Sequence, residues 1–263
     1  MSLVVLFCSC CTLTYGQDSL SGAVERLPAS LGRQLEFLNL EFLVYSTRPQ
    51  KKDESHPLII YLHSAAARGA DVRKVGGHAQ AILENIRSQT DANCMMVIPQ
   101  CVEGTSARTG VWKAEDLNVL LEYLKTKYPI DERRIYLTGS SMGGYGAWAW
   151  AAMNPEHFAA VAPVAGGLGS SGPKAITSNF DQWVDRLTPL PIWTFHGGQD
   201  TIVPVDRSRA IVTAIRENGG QAKLTVYPQL GHHVAGNAYS EPEFYTWLLQ
   251  QQRSSSNGNQ YLP

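Results

Sequence analysis

The sequence predicts an α/β fold in which one mostly parallel sheet carries helices on both faces. Three observations point to it. From residue 35 onward, apolar runs of strand length alternate with amphipathic stretches of helical length, and short connectors between them are the pattern of parallel strands joined by helical crossovers. The run Pro57-Leu58-Ile59-Ile60-Tyr61-Leu62 is apolar throughout, as a strand covered on both faces must be. The chain has 263 residues, 44% of them hydrophobic, which is enough to bury one large core.

The elements follow in order. Residues 35–45 read as an early strand or hairpin ending at the turn Arg48-Pro49, and Lys51-Lys52-Asp53-Glu54 as a charged surface loop. The stretch 57–62 is strand, 75–88 helix and 94–99 strand. Residues 114–128 form a helix, with Leu117, Leu120, Leu121 and Leu124 on one face. Residues 134–138 are strand, 141–153 helix, and 158–165 strand again. A loop over 166–177 and a short helix near 180–187 lead to strand 191–195. Helix 205–218 is closed by Gly219-Gly220, 223–227 is the last strand, and 241–251 is the final helix with Phe244, Trp247 and Leu248 facing inward. No repeat or linker divides residues 17–251, so one domain is expected. The polar tail 252–263 is expected to be disordered.

Charge narrows the partners. Twenty-two Lys and Arg against 23 Asp and Glu leave a formal charge of −1, which supplies no basic surplus for nucleic acid or an anionic membrane. The apolar stretch at residues 3–15 is shorter than the roughly 20 residues of a membrane span. It fits the core of a secretory signal cleaved after Gly16, where Thr14 and Gly16 give small-x-small spacing. A secreted or periplasmic protein follows. A lipoprotein signal built on Cys8, Cys10 or Cys11, and an unexported chain, are the alternatives. Cys94 and Cys101 flank a strand-like run, and seven extended residues span about 23 Å. A disulfide needs Cα atoms within about 7 Å, so both read as small buried hydrophobes.

The chemistry gathers around Gly139-Ser140-Ser141-Met142-Gly143, a G-x-S-x-G between a strand and a helix. A turn that tight leaves no room for flanking side chains. It exposes the Ser141 hydroxyl above the sheet, over a helix N-terminus that favours negative charge. A serine needs a base to take its proton and an acid to orient the base. Strand 192–195 runs into His196-Gly197-Gly198-Gln199-Asp200, which places Asp200 at the carboxyl end of a strand, where such sheets keep their sites. Gly231-His232-His233 follows the last strand, and His232 is the chosen base, with His233 the alternative. Asp181, Asp185 and Asp206 are weaker acids, and His63 and His196 read as structural. A tetrahedral oxyanion needs backbone donors: the amides of Met142 and, from the loop after His63, of Ala65. No H-E-x-x-H spacing, phosphate loop or dinucleotide fingerprint appears, so neither metal nor cofactor is implied.

Together these residues resemble the α/β-hydrolase superfamily, in particular its compact serine esterase branch, which is related to feruloyl esterases and polyhydroxybutyrate depolymerases. The resemblance covers residues 35–251 and rests on ordered motifs: Pro57 to His63, Pro99-Gln100-Cys101, Trp112, Asp131 to Gly146, Phe195-His196-Gly197, Asp200 with Val203-Pro204, Gly231-His232, Ala238-Tyr239 and Trp247-Leu248. Two departures stand out. The branch usually reads His-Gly-Ala-Gly-Glu-Arg-Gly where this chain has His63-Ser64-Ala65-Ala66-Ala67-Arg68-Gly69, and a Trp three residues after the catalytic His is here Ala235.

The resemblance implies hydrolysis of carboxylic esters, with Ser141, His232 and Asp200 as the triad. The short span between Ser141 and Asp200 leaves no room for a large lid, which suits short-chain, carbohydrate or phenolic esters, small or borne on a polymer. Trp112 and Trp183 are candidates for the pocket wall. A peptidase of the same fold and an inactive binding protein are the alternatives.

Overall fold

A computed structural model of the chain describes residues 22–48, 54–105, 108, 109, 111–168 and 179–254. The expected signal at 1–16 therefore lies outside the described residues, as do most of the 166–177 loop and residues 255–263 of the expected tail.

In chain order the elements are β1 (Ala23–Arg26), α1 (Ala29–Gly32), β2 (Leu38–Ser46), β3 (His56–Leu62), α2 (Gly76–Gln89), β4 (Met95–Cys101), a small hairpin of β5 (Gly104–Thr105) and β6 (Arg108–Thr109), α3 (Ala114–Lys127), β7 (Ile130–Ser140), α4 (Met142–Met153), β8 (Ala160–Val164), α5 (Phe180–Leu187), β9 (Ile192–Gly197), α6 (Asp206–Glu217), β10 (Ala222–Tyr227), α7 (Ala235–Tyr239) and α8 (Phe244–Gln250). Eight strands form one sheet in the order β1-β2-β4-β3-β7-β8-β9-β10. Within this sheet β1–β2 and β2–β4 are antiparallel and the remaining pairs are parallel.

Alternation along the central strands divides the core into two layers. Leu58, Ile60 and Leu62 of β3, Met95 and Val97 of β4, and Ile135 and Leu137 of β7 enter one cluster with side chains of α3, α4, α5 and α6. Ile59, Tyr61, Met96, Ile98 and Tyr136 enter the other, with α2, α7 and α8. The continuous apolar run of β3 is thus buried on both faces along its whole length. Helix α3 does more than present the leucine face read from the sequence. Its Asp116, 3% exposed, accepts the backbone N–H groups of Glu36, Phe37 and Leu38 at 3.0, 2.7 and 3.1 Å, clamping the entry to β2.

β1 lies ahead of the first strand expected from the sequence; its side chains are mostly exposed and it is held by pairing with β2. Helix α7 precedes the expected final helix, so the last helical region is two pieces separated at residues 240–243, around Pro242. Proline lacks the N–H needed to carry a helix through that point. In α8, Phe244 and Leu248 are buried, while Trp247 is half-buried with its ring edge-on to Trp193 at 5.4 Å. Cys94 and Cys101 are unpaired and buried. Burial pushes both thiols up to about 12, leaving neither as a nucleophile at neutral pH.

Candidate active site

β7 ends at Ser140 and α4 begins at Met142, so Ser141 alone makes the turn. It does so with φ 56° and ψ −112°, a conformation that costs a non-glycine residue about 1–3 kcal/mol and persists only where its surroundings impose it. Here they do. The Ser141 N–H donates to Val164 O at 2.9 Å, and Ser141 O accepts the Tyr145 N–H at 2.9 Å. The flanking glycines have no choice either. A Cβ on Gly143 would lie 1.9 Å from Leu62 O, and one on Gly139 would lie 2.6 Å from Gly143 O. The helix start therefore rests directly on the carboxyl end of β3, and the loop carrying Ala65 leaves β3 beside it.

In a parallel sheet the strand ends share one edge, which brings the acid and base loops to the serine. The loop after β9 and the loop after β10 are tied backbone to backbone, Gly198 N–H donating to Tyr227 O at 2.8 Å and Gln199 N–H to Leu230 O at 2.9 Å. From these loops His232 reaches both partners. Its Nε2 is 2.8 Å from Ser141 Oγ and its Nδ1 is 2.7 Å from Asp200 Oδ2. An ionised carboxylate only accepts, so the proton of neutral His232 resides on Nδ1, and Nε2 accepts the Ser141 hydroxyl proton.

Asp200 has no exposed side-chain surface, and the His232 side chain is 10% exposed. Oδ1 of Asp200 accepts the N–H groups of Ile202 and Val203 at 2.9 and 2.8 Å. Burial by itself would raise the carboxyl pKa. The Val203 amide, the His232 ring and the Ile202 amide outweigh burial and hold the carboxyl below its ordinary value, keeping Asp200 ionised.

The structure separates the alternatives. His233 is exposed, its ring 5.8 Å from that of His232. Asp206 pairs with Arg209, Asp185 accepts from Asn218, and Asp181 is exposed in the first turn of α5. His63 is fully buried. It accepts the Cys101 N–H at Nε2 and faces Ser64 O at Nδ1, which holds the start of the 63–69 loop. His196 is also fully buried, on β9.

Met142 opens α4 and Ala65 opens a short 3₁₀ turn, Ala65–Ala67; first-turn amides have no acceptor within their own helix. Of the two residues standing where the related esterases have glycine, Ala66 is exposed and Ser64 is half-buried, so the Ala66 methyl group does not fill the interior. Arg68 packs over this corner, its Nε donating to Met142 Sδ at 3.2 Å. Trp112 is 8% exposed and donates its indole N–H to His63 O at 3.1 Å, with the two rings 4.8 Å apart. It braces the 63–69 loop from behind. Trp183 is half-buried on α5, against the core. Among the described residues, no group of three or more His, Cys, Asp or Glu side chains is placed to hold a metal ion, and no helix is long and apolar enough to cross a membrane.

With this geometry in place, similarity to known proteins is informative. A protein of Escherichia coli (strain K12), assigned by name to the carboxymethylenebutenolidases, is 30% identical over 214 residues, spanning 76% of this chain and 75% of its own length. A thermostable esterase of solved structure superposes with a TM-score of 0.70 at 28% identity over 90% of this chain; the match spans 64% of that esterase, just under two thirds. A ferulic acid esterase shares the fold, with a TM-score of 0.65 at 18% identity over 88% of this chain and 98% of its own. The dienelactone hydrolase family matches residues 84–243, well over half of the sequence and all three of Ser141, Asp200 and His232. The chain belongs to the dienelactone hydrolase family and has the α/β-hydrolase fold.

Proposed function

We propose that this chain hydrolyses carboxylic esters through an acyl-enzyme, with Ser141 as nucleophile, His232 as general base and acid, and Asp200 as the group that orients the imidazole. The observation that carries this reading is the continuous pair of hydrogen bonds from Ser141 Oγ through His232 to Asp200, at 2.8 and 2.7 Å. Membership of the family, together with relatives named as esterases, supports the ester as the bond cleaved.

His232 Nε2 takes the hydroxyl proton as Ser141 Oγ attacks the ester carbonyl carbon. The imidazolium that forms is stabilised through Nδ1–H by ionised Asp200. The carbonyl oxygen becomes an oxyanion, accepted by the amides of Met142 and Ala65, and the α4 N-terminus favours its charge. Collapse expels the alcohol, protonated by His232, and leaves the acyl group on Ser141. Water, deprotonated by His232, repeats the sequence and releases the acid. No cofactor is required.

The helix between β8 and β9, α5, is only eight residues long, which supports small acyl groups or esters displayed on carbohydrate, phenolic or polymeric alcohols over long buried lipids. Export through the 1–16 segment belongs to the same reading, and a mature N-terminus at Gln17 in culture medium or periplasm tests it. The functional test compares p-nitrophenyl acetate, p-nitrophenyl butyrate, and feruloyl and acetylated sugar esters with an aminoacyl-nitroanilide. Ester turnover, abolished in Ser141→Ala and by an organophosphonate that modifies Ser141, is the expected result. Faster amide turnover refutes the ester preference, and failure of the organophosphonate to modify folded protein refutes the serine mechanism.

A further inference from the structure

Asp200 is approached by a second histidine. His196, on β9 with no exposed surface, places Nε2 3.2 Å from Asp200 Oδ2 and 2.9 Å from Val203 O. Its Nδ1 lies 2.8 Å from Ser208 Oγ in α6. Both atoms facing Nε2 are acceptors only, so Nε2 carries a proton. At Nδ1 there are two arrangements. Either Ser208 donates to it and the ring is neutral, or Nδ1 is also protonated and Ser208 donates to Gly166 O at 3.2 Å. Burial lowers the His196 pKa against the pull of Val203 O and Asp200, which selects the neutral ring with Ser208 as the donor to Nδ1. The carboxylate therefore lies between two serine–histidine pairs, Ser141–His232 and Ser208–His196: the His232 Nδ1–H is hydrogen-bonded to Oδ2 at 2.7 Å, and the His196 Nε2–H, bonded to Val203 O at 2.9 Å, lies 3.2 Å from the same oxygen.

We propose that His196 is a positioning residue for the acid: its Nε2–H, kept on that nitrogen by Val203 O and Ser208, fixes the rotation of the Asp200 carboxylate and takes up part of the charge on Oδ2 that His232 would otherwise receive alone. The proposal rests on the reading of Ser141, His232 and Asp200 as the reacting triad. Two amides already hold Oδ1, so His196 is what defines the second oxygen from the interior side. Without that N–H, Oδ2 is less well satisfied and more basic, and it holds the His232 imidazolium more tightly. The acid limb of the rate profile then moves to higher pH and the proton returns to the leaving alcohol more slowly. The other titratable groups near the carboxylate are Tyr145 on α4 and Arg207 on α6, which interact with each other and, through Tyr145, with Asp200. The substitutions below leave both in place.

Two amide variants separate positioning from packing. His196→Asn sets an amide oxygen where Nδ1 accepts from Ser208 but presents nothing to Asp200, whereas His196→Gln carries an N–H to the place of Nε2. We expect His196→Asn to lose about tenfold or more in kcat with KM nearly unchanged, its acid limb shifted upward, and the rate of Ser141 phosphonylation reduced alongside. His196→Gln should restore kcat and the acid limb to near wild type. Equal kcat and an equal acid limb in the two variants would overturn the proposal and leave His196 a packing residue. Should His196→Asn fail to fold, ¹⁵N NMR of the wild-type imidazoles decides: a neutral Nε2–H ring at pH 7 is expected, and a cationic or Nδ1–H ring overturns it. The two readings fail differently. A wild-type Ser141 that resists the organophosphonate defeats the triad itself, while a labelled Ser141 with wild-type kinetics in His196→Asn defeats only the role of His196.

Discussion

Gly143→Ala is the sharpest test of how the fold builds the site. A Cβ there would sit 1.9 Å from Leu62 O, 2.5 Å from Leu62 C and 2.9 Å from His63 O, all of them backbone atoms that no rotamer change can move aside. Relief to the 3.0 Å below which real Cβ contacts essentially never fall requires the turn and the end of β3 to part by roughly 1 Å. That movement separates Ser141 from the Ala65 loop, and a displacement of about 1 Å at a reacting centre costs on the order of 10²-fold in rate. Overpacking of this kind also costs about 1–3 kcal/mol, a fall in Tm of roughly 2–12 °C for a domain of this size. The assay is kcat and KM on p-nitrophenyl butyrate together with thermal unfolding, with Gly77→Ala as the control. A Cβ on exposed Gly77, in the first turn of α2, meets nothing within 4 Å, and that variant should keep its activity. Gly143→Ala with kcat within about twofold of wild type would show that the turn does not rest on β3 as described, and the reasoning would fail.

Three further outcomes follow from other parts of the molecule. Asp116→Ala leaves the buried amides of Phe37 and Leu38, and the part-buried amide of Glu36, without their acceptor. At about 1–3 kcal/mol for each orphaned buried group, it should lower the urea midpoint sharply while kcat per folded molecule stays at wild type; an unchanged midpoint contradicts the clamp. Burial lowers the pKa values of His157 and His196, so the unfolded chain takes up protons below the ordinary histidine pKa while the native state resists them. Stability should therefore fall as pH drops below about 6.5, by at most about 1.4 kcal/mol per pH unit for each histidine. Urea melts from pH 8 to pH 5 check the sign, and stability that rises on acidification across that window refutes it. Cys94 and Cys101, buried with thiols pushed up to about 12, should resist iodoacetamide in native protein and react in urea, as peptide mapping will show; native modification of either contradicts their burial.

Much of the site was legible in the sequence for a physical reason. The strand–turn–helix around Ser141 is local, and the glycines that permit it lie within two residues of the serine. Asp200 and His232 were identifiable because each follows a strand, and a parallel sheet delivers every strand's carboxyl end to one edge. The apolar run of β3 likewise announced a strand covered on both faces. Local pattern failed where stability comes from elsewhere in the chain. β1 has no apolar run and exists through its pairing with β2, and Asp116 looks like an ordinary first-turn acid of α3 until the backbone some 80 residues upstream is seen to bond to it. The sequence favours His232 and leaves His233 as the alternative, and the pairing of the β9 and β10 loops turns the His232 ring to Ser141 and leaves His233 exposed. His196 is the clearest case. Its residue type and its spacing of four from Asp200 were visible from the start, yet whether such a pair meets is set by the path of the chain beyond β9, and the tautomer of the ring by where α6 docks Ser208. Residue type and periodicity are properties of neighbouring positions, whereas a hydrogen bond between side chains on different elements exists only once sheet register and helix packing have brought those elements together.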